Sequence, residues 1–341
     1  MDLDNINEIK KVDREGMLDV IEKFPEQIEE AIKIGKDAKI NFSFNGKNII
    51  IAGMGGSAIS GEIIASLAKD ECDVPIFIVK DYSLPSFMNE ETLFIAISYS
   101  GNTEETLSCF SQALEKNCPV ISISSSGKLE EMSKDCCHIK IPQNMQPRAA
   151  IAYLLFPLMG VLRRLGVIKE YDVGDVIKKA KVIRDRIKKD VRIEKNEAKQ
   201  LAIKIKGIPL IYASDFLSPI AVRWRQQFNE NSKMIAFDFC VPESNHNEIM
   251  AWEGMIKKDY TCIFLRHKNE KDKIRKRFDF MKEVYSKKAN VIEVFAEGGS
   301  KLEQMIHILY LGDYVSTYLA LFRNIDPTPV NLIQKLKKKI G

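Results

Sequence analysis

The sequence predicts an α/β fold with two doubly wound domains, each a parallel sheet flanked by helices. Short β-branched runs alternate with segments of helical periodicity from residue 48 to 142, and the same alternation restarts at residue 208. Strands that alternate with helices pair in parallel, because each helix carries the chain back across the sheet. We therefore expect domains at 1–165 and 166–341, with helical segments at both ends of the chain.

The first half contains five predicted strands separated by helices. Apolar residues at helical spacing before residue 40 predict one or two leading helices. Each predicted strand is a short apolar run, in order "KNIIIAG", "PIFIV", "LFIAIS", "PVISIS" and "HIKIP". The predicted helices are "SAISGEIIASLAK" after a Ser cap, "EETLSCFSQALEKN", "SGKLEEMSKD" and a buried apolar helix at 149–165.

The second half repeats this pattern after a charged helical stretch that ends near residue 206. Its predicted strands are "IPLIYAS", "TCIFLR" and "NVIEVFAE", and its predicted helices are "SPIAVRWRQQFNEN" and "EKDKIRKRFDFMKEVYSKK". The opening, a strand followed by Ser214 and Asp215 and then a helix, parallels the opening of the first half. We therefore expect two similar halves, closed by helices at 300–323 and 329–340.

Composition excludes several classes of protein. The 51 basic and 47 acidic residues give a net charge of +4, which provides no basic stripe for nucleic-acid binding. No apolar run approaches the roughly 18 residues of a membrane span. The seven cysteines are mostly isolated and the acidic start carries no secretory signal, so we expect a reduced, cytoplasmic protein. Cys136, Cys137 and His138 are adjacent on a predicted strand and point to opposite faces, which favours a structural role.

A glycine-rich turn follows the first strand in "IAGMGGSAIS". Gly53, Gly55 and Gly56 let the backbone approach a ligand, and the N–H groups of a helix that begins near Ser57 favour an anion. The same spacing satisfies the loose dinucleotide fingerprint, with Asp81 as the acid after the second strand. A dinucleotide-dependent oxidoreductase therefore stays open as an alternative.

A second polar turn, "SYSGNTEET", follows another strand of the same predicted sheet. Ser98, Ser100 and Thr103 lie between that strand and a helix that begins near Glu104. The carboxyl ends of parallel strands open onto one edge, so the two turns face one crevice. Hydroxyls and helix N–H groups, without a Walker lysine, suit a phosphate monoester on a small molecule.

These turns resemble those of a sugar isomerase (SIS) domain, through Ser-x-Ser-x-x-Thr and Gly-Gly-Ser. Four further motifs, in order, are similar to the family of bifunctional phosphoglucose/phosphomannose isomerases: "QPRAAI", "QFNENSK", "ESNHNEI" and "NIDPTPVNLIQKLKKKI". The resemblance runs from about residue 48 to the C-terminus. It implies two SIS domains, a homodimer, and interconversion of glucose 6-phosphate and mannose 6-phosphate with fructose 6-phosphate in carbohydrate metabolism, without a metal or other cofactor.

The resemblance also implies roles for particular residues. Gly56, Ser57, Ser98, Ser100 and Thr103 would hold the phosphate of the sugar. An aldose–ketose isomerisation passes through an enediolate, so it needs a carboxylate base and a group that stabilises the oxyanion.

The family's base falls on Glu230, at the end of a helix in "FNEN". Arg148 would stabilise the oxyanion, because its guanidinium stays protonated and supplies charge without taking the proton.

Ring opening must precede isomerisation, because the cyclic sugar has no free carbonyl. His246 suits proton transfer near neutral pH and lies in a polar stretch, and in the family this histidine reaches the active site of the neighbouring subunit. A lysine of the last helix is the other candidate. With Val330, Ile333 and Ile340 taken as the buried side, Lys337 lies on the same face, and Lys335 is the alternative.

Besides the dinucleotide-dependent oxidoreductase, two alternatives remain open from the sequence. A SIS-type sensor would bind a sugar phosphate without catalysis, although no DNA-binding segment is visible. An isomerase for another sugar phosphate would share the phosphate turns. The sequence contains no HExxH, GxSxG or GxxxxGK[ST] motif and no metal-spaced Cys/His cluster, so other common catalytic classes have no support.

Overall fold

The chain folds into two compact units. The structure is a computed structural model that describes residues 1–254 and 259–340. One unit comprises Phe24–Ile177, and the other combines Met1–Lys23 with Lys178–Gly341. The domain limits 1–165 and 166–341 stay a prediction.

The Phe24–Ile177 unit contains five strands and five helices. Its strands are β1 (Asn48–Gly53), β2 (Ile76–Val79), β3 (Thr92–Ile97), β4 (Val120–Ser124) and β5 (Cys137–Lys140). Its helices are α3 (Phe24–Asp37), α4 (Gly55–Ala68), α5 (Glu104–Glu115), α6 (Lys128–Met132) and α7 (Ile151–Arg164). All five strands and the helices between them were predicted from the sequence, and the prediction is confirmed.

The five strands form one parallel sheet in the order β2-β1-β3-β4-β5. The chain starts in the middle of this sheet and moves outward in both directions, which is the doubly wound arrangement. β3 and β4 are buried at every position because helices cover both faces. The carboxyl ends of β1 and β3 lie side by side, since Gly53 pairs with Ile97. The two polar turns therefore leave the sheet at neighbouring points.

Helices α3 and α7 pack closely against each other. A Cβ atom on Gly35 would lie 2.8 Å from the Cα atom of Pro157, so only glycine allows this approach. The hydroxyl of Tyr153 donates a 2.6 Å hydrogen bond to Glu30, and Arg164 donates to the carbonyl oxygens of Gly35 and Ala38. These contacts join the predicted buried apolar helix to the leading helix of the same unit.

In its described residues the other unit contains four strands and eight helices of its own, two of them from the start of the chain. Its strands are β6 (Ile208–Ser214), β7 (Phe237–Val241), β8 (Tyr260–His267) and β9 (Asn290–Ala296). Its helices are α1 (Ile6–Val12), α2 (Met17–Glu22), α9 (Glu197–Lys204), α10 (Ser218–Glu230), α12 (Asp272–Tyr285), α13 (Lys301–Phe322) and α14 (Asn331–Ile340), and a short helix, α11 (Ala251–Gly254), lies after β7. The chain passes between the units within α8 (Val173–Ile187).

The second sheet is also parallel, in the order β7-β6-β8-β9. This order matches the first four strands of the other sheet, with the first strand of each unit flanked by the second and third. The prediction of two similar halves is confirmed. Strand β7 was missed in the sequence, because its run "FDFCV" carries Asp238 and a half-exposed Phe237, as an edge strand does.

Helix α13 forms the centre of the second unit, the one that combines Met1–Lys23 with Lys178–Gly341. Among the described residues it is the one helix that is long enough and apolar enough to cross a bilayer. Inside the protein, 94% of its most apolar window is buried. An apolar run of this length was not predicted here from the sequence, because Asp313 and several hydroxyl-bearing residues interrupt it. Its contacts are those of a core helix: Tyr310 donates to the carbonyl oxygen of Ile21, and Tyr318 donates to that of Ile187.

An ion-pair network joins α8 to the end of β9. Arg186 donates two 3.0 Å hydrogen bonds to the carboxylate of Glu297, and Lys179 donates a third at 2.8 Å. Arg186 also donates to Glu197 at 2.5 Å. The hydrogen bonds from Arg186, helped by Lys179 and opposed by burial, lower the pKa of Glu297 to about 2. Burial lowers the pKa of the neighbouring His307 to about 4, so this imidazole is neutral near pH 7.

We expect Glu297→Gln to lower the free energy of unfolding by about 1 kcal/mol near pH 7, a modest value because solvent screens this partly exposed carboxylate. The folded pKa of Glu297 lies below its ordinary value of 4.5, so its contribution is complete above that value and is lost as the pH falls towards about 2. Urea unfolding of both proteins across this range checks the prediction. Glu194→Gln, at an exposed carboxylate, is the control. A wild-type advantage that did not shrink in acid would contradict it.

Candidate active site

One hydrogen bond, from a backbone N–H to a hydroxyl, joins the turn after β1 to the turn after β3. The hydroxyl of Ser57 accepts a hydrogen bond from the backbone N–H of Tyr99 at 3.3 Å. The hydroxyls of Ser98 and Thr103 lie 2.9 Å apart, and that of Ser100 accepts from the N–H of Asn102 at 3.3 Å. The structure therefore brings the predicted phosphate-binding hydroxyls of these turns into one region at the carboxyl edge of the sheet.

Two helix N-termini open at the same edge. The N-cap residue of α4 is Met54, so the predicted cap by Ser57 is wrong, and Ser57 lies within the first turn instead. Thr103 is the N-cap of α5, but its hydroxyl bonds to Ser98 rather than to the helix. In the described part of the chain no side chain caps either terminus, and their N–H groups and dipoles suit an anion.

A third turn, after β4, completes this edge and was missed in the sequence analysis. Gly101 has φ of +69°, and a Cβ atom there would lie 1.7 Å from the carbonyl oxygen of Ser126. The hydroxyl of Ser125 donates to the carbonyl oxygen of Tyr99 at 2.7 Å. The "SSSG" run that begins at Ser124 was the available signal, because it repeats the small hydroxyl residues of the other two turns.

Arg148 lies close to the glycine turn of the same unit. It sits in a short 3-10 helix, Pro147–Ala149, and is only 3% exposed. A Cβ atom on Gly56 would lie 3.4 Å from the Cα atom of Arg148, in ordinary van der Waals contact, so the two segments lie side by side. Tyr99 fixes the segment before Arg148: its hydroxyl donates to the carbonyl oxygen of Pro142 and accepts from the N–H of Met145.

Glu230 is the last residue of α10, where the sequence predicted a helix end, and it is half-buried. The following residues are fixed to α13. Asn231 donates to the hydroxyl of Ser316 at 3.0 Å, and Ser232 donates to the carbonyl oxygen of the same residue at 2.6 Å. The end of α10 that carries Glu230 is thus held by its neighbours in the sequence.

A buried ion pair anchors α10 along its length. Arg223 donates to Asp313 of α13 at 2.7 and 3.1 Å, and Gln227 donates to the same carboxylate at 2.7 Å. Trp224 donates to the carbonyl oxygen of Ile308, next to Gly312, where a Cβ atom would lie 2.2 Å from the indole nitrogen. Bidentate and fully paired contacts of this kind fix the register of two helices. They fix the position from which Glu230 projects.

His246 lies after β7 at the end of a short 3-10 helix, Glu243–His246, with its side chain exposed. Asn245, just before it, accepts a 3.2 Å hydrogen bond from Arg277 of α12. Glu248, just after it, accepts hydrogen bonds from three aromatic side chains. The imidazole is therefore presented to solvent between two fixed positions.

The predicted buried side of α14 is wrong. Ile333 and Ile340 are 43% and 57% exposed, and every residue of this helix is exposed, including Lys335 and Lys337. Alternating apolar and basic positions had suggested a packed face, but no part of the described chain covers it. The choice of Lys337 over Lys335 therefore loses its argument from burial.

One group of potential metal ligands lies in the second unit. Atoms of Glu197, Glu297 and His307 lie within 4.8 Å of one another, a cluster that the sequence did not reveal. Both carboxylates already bond to Arg186, and Glu297 also bonds to Lys179. Because these cations occupy the ligand atoms, the cluster is an ion-pair network.

Asp81, the acid of the dinucleotide alternative, is exposed and its carboxylate accepts a hydrogen bond from the N–H of Tyr82.

Parallel sheets with hydroxyl-bearing turns beside open helix N-termini define an α/β protein of the SIS class. The family profile of the SIS domain matches residues 44–165, and that of the bacterial phospho-glucose isomerase C-terminal SIS domain matches residues 194–340. The chain belongs to the family of bifunctional phosphoglucose/phosphomannose isomerases and is an isomerase.

Relatives of this family match over most of the chain. The bifunctional phosphoglucose/phosphomannose isomerase of Caldicellulosiruptor bescii is 38% identical, over 95% of this chain and 99% of its own. That of Thermoplasma volcanium is 37% identical, over 92% and 95%. Among solved structures, a putative phosphosugar isomerase from Clostridium difficile 630 aligns with a TM-score of 0.72 at 15% identity, covering 94% of this chain and 97% of that one. The last likeness concerns the fold alone.

Proposed function

We propose that this protein interconverts glucose 6-phosphate and mannose 6-phosphate with fructose 6-phosphate, without a metal. The names of its relatives indicate the substrates. The observation that carries the proposal is the convergence of the hydroxyls of Ser57, Ser98 and Thr103 beside the open N-termini of α4 and α5. Neutral donors and helix dipoles of this kind bind a phosphate monoester. Ser100 and the backbone at Gly56 complete the proposed phosphate contacts.

In the proposed reaction Glu230 takes a proton from C1 of open-chain fructose 6-phosphate. The electron pair of the broken C–H bond forms the C1–C2 double bond, and the carbonyl oxygen at C2 becomes the oxyanion that Arg148 stabilises. Glu230 then returns the proton to C2, while the proton of the C1 hydroxyl passes to the oxygen at C2, so that C1 becomes the aldehyde carbon. Delivery to one face of the enediolate gives glucose 6-phosphate, and delivery to the other gives mannose 6-phosphate, so one base accounts for both products.

Ring opening is assigned to His246, with Lys337 or Lys335 as its cationic partner. A histidine exchanges a proton with the ring oxygen near neutral pH, because its ordinary pKa is about 6.5. The exposed position of His246 supports the assignment, since a substrate can reach the imidazole. The lysine assignment rests on the resemblance of "NLIQKLKKKI" to the end of the family's sequences.

The direct test is the incubation of purified protein with fructose 6-phosphate, with glucose 6-phosphate and mannose 6-phosphate measured separately. We expect both. Glucose 6-phosphate alone would narrow the function to a phosphoglucose isomerase. If a folded protein forms neither, the function is that of an isomerase for another sugar phosphate or of a sensor.

We also propose that the protein acts in the cytoplasm, in glycolysis and gluconeogenesis, as a homodimer in which His246 serves the active site of the neighbouring subunit. Mixing two inactive variants tests the shared site. A hybrid of Glu230→Gln and His246→Ala subunits has one site with both changes and one with neither, so dissociation and reassociation should restore activity. We expect about a quarter of the wild-type value after random reassociation, because half of the dimers are hybrids with one intact site each. Each variant taken alone through the same procedure is the control, and no recovery would contradict the shared site.

A further inference from the structure

We infer that Glu248 is a positioning residue for His246, and that it acts by fixing the segment 242–250 to a buried aromatic cluster. This inference rests on the proposed function, because it concerns the ring-opening step assigned to His246. No chemical step is assigned to Glu248 itself.

The carboxylate of Glu248 is the meeting point of three aromatic donors. Its Oε1 atom accepts from the hydroxyl of Tyr212 and from the indole nitrogen of Trp252, both at 2.7 Å, and its Oε2 atom accepts from the hydroxyl of Tyr285 at 2.9 Å. The three donors come from β6, α11 and α12, so a single side chain joins the segment to three elements. Within the described residues no cation pairs with this carboxylate, and it is satisfied by neutral donors.

The donors themselves are rigidly placed. Tyr212, Trp252 and Tyr285 are all fully buried. The rings of Trp252 and Tyr285 stack 3.9 Å apart at 11°, and the rings of Tyr212 and Tyr285 lie 5.6 Å apart. Burial raises the pKa of both tyrosines well above the ordinary range, which keeps their hydroxyls protonated as donors. A buried cluster of this kind cannot follow a shift of the carboxylate, so the carboxylate is held in one position.

The segment has few other means of holding its shape. It consists of two short 3-10 helices, Glu243–His246 and Glu248–Met250. Between them Asn247 accepts from the N–H of Glu248 at 2.6 Å and donates to Glu243 at 2.8 Å. On the other side of His246, Asn245 is bonded to Arg277. His246 thus lies between two anchors, and Glu248 provides the one with more hydrogen bonds.

The expected consequence of losing this anchor is a specific loss of ring opening. A catalytic group displaced by about 1 Å can lose roughly a hundredfold in rate. We expect Glu248→Ala to slow ring opening by about 10- to 100-fold. In Glu248→Gln the amide oxygen can still accept from Tyr212 and Trp252, and its NH2 group can donate to Tyr285 after that hydroxyl rotates. We therefore expect the glutamine variant to open the ring at least tenfold faster than the alanine variant.

Ring opening is measured apart from isomerisation as the exchange between the α and β anomers of glucose 6-phosphate, by NMR magnetisation transfer. The variants are wild type, Glu248→Ala, Glu248→Gln, His246→Ala and the double alanine variant. Glu253→Ala, at an exposed carboxylate five residues further on, is the matched control. Thermal unfolding of each protein shows that the compared proteins are folded at the temperature of the assay.

A residue that acts through His246 has no further effect once His246 is gone. We expect the double variant to exchange anomers at the same rate as His246→Ala. An additional loss in the double variant would overturn the inference in favour of a general structural role. A folded Glu248→Ala protein with wild-type exchange would also overturn it. A glutamine variant as slow as the alanine variant would overturn it too, because the negative charge of Glu248 and not its hydrogen bonds would then be what ring opening needs. If wild type neither exchanges anomers nor converts fructose 6-phosphate, the proposed function itself fails, which is a distinguishable result.

Discussion

Glu230→Gln is expected to lower the turnover of fructose 6-phosphate by about 10³-fold and to leave its binding within about twofold of wild type. The amide keeps the shape of the side chain but cannot take the proton from C1, and general base catalysis contributes typically 10²–10⁴-fold. Steady-state kinetics gives the turnover, and calorimetric titration of fructose 6-phosphate gives the dissociation constant. Anomer exchange should persist in this variant, because ring opening is assigned to His246.

Glu115→Gln is the matched control for this variant. Glu115 is also the last residue of a helix, α5, and it is exposed. Its substitution should change neither turnover nor binding. Turnover of Glu230→Gln near the wild-type value would mean that another group is the base. Equal losses of binding and turnover would indicate that Glu230 holds the substrate in its ground state.

Gly101→Ala is expected to raise the KM for fructose 6-phosphate by roughly a hundredfold and to lower the free energy of unfolding by about 2–4 kcal/mol. The added Cβ atom would lie 1.7 Å from the carbonyl oxygen of Ser126, and φ at this position is +69°. The turn after β3 and the turn after β4 must therefore separate. This separation moves Ser100 and Thr103, the proposed phosphate contacts, relative to Ser57. Kinetics and urea unfolding measure the two effects.

Gly166→Ala separates backbone strain from the clash. Gly166 has a nearly identical φ of +74°, but a Cβ atom there meets nothing within 4 Å. Its substitution should cost about 1 kcal/mol of stability from the left-handed backbone alone and should leave KM unchanged. If Gly101→Ala had the same modest effect as Gly166→Ala, the two turns would not be packed as described.

The regular elements were predictable because their hydrophobic periods are strong. The strand "LFIAIS" is buried at every position of β3, as a central parallel strand is, and the repeat of strand and helix in both halves predicted the two sheets. The edge strand β7 was missed because its short run carries Asp238 and is only partly buried. The N-terminal residues 1–23 group with the second unit. No local pattern in the sequence indicates this grouping, because it depends on contacts such as that of Tyr310 with Ile21, which lie far apart in the chain.

The candidate site was predictable where turn chemistry is local. Ser98, Ser100 and Thr103 follow one strand directly, so their position at the sheet edge follows from the strand itself. The role of Tyr99 in fixing the segment before Arg148 depends on a contact across 46 residues, and the aromatic anchor of Glu248 depends on contacts with β6 and α12. Such long-range contacts leave no period in the sequence. The packing of α14 was predicted wrongly for a related reason, because amphipathic spacing shows that a face exists but not what covers it.

We propose that one enediolate, formed and quenched by Glu230, connects fructose 6-phosphate to both aldose phosphates. The most direct measurement is the conversion of fructose 6-phosphate in D2O with excess chelator, followed by NMR that resolves glucose 6-phosphate and mannose 6-phosphate. We expect both products, with deuterium from solvent at C2 of each, because a carboxylate base exchanges its proton with water during the lifetime of the enediolate. Formation of neither product by the folded wild-type protein, or of products without any deuterium at C2, would contradict it.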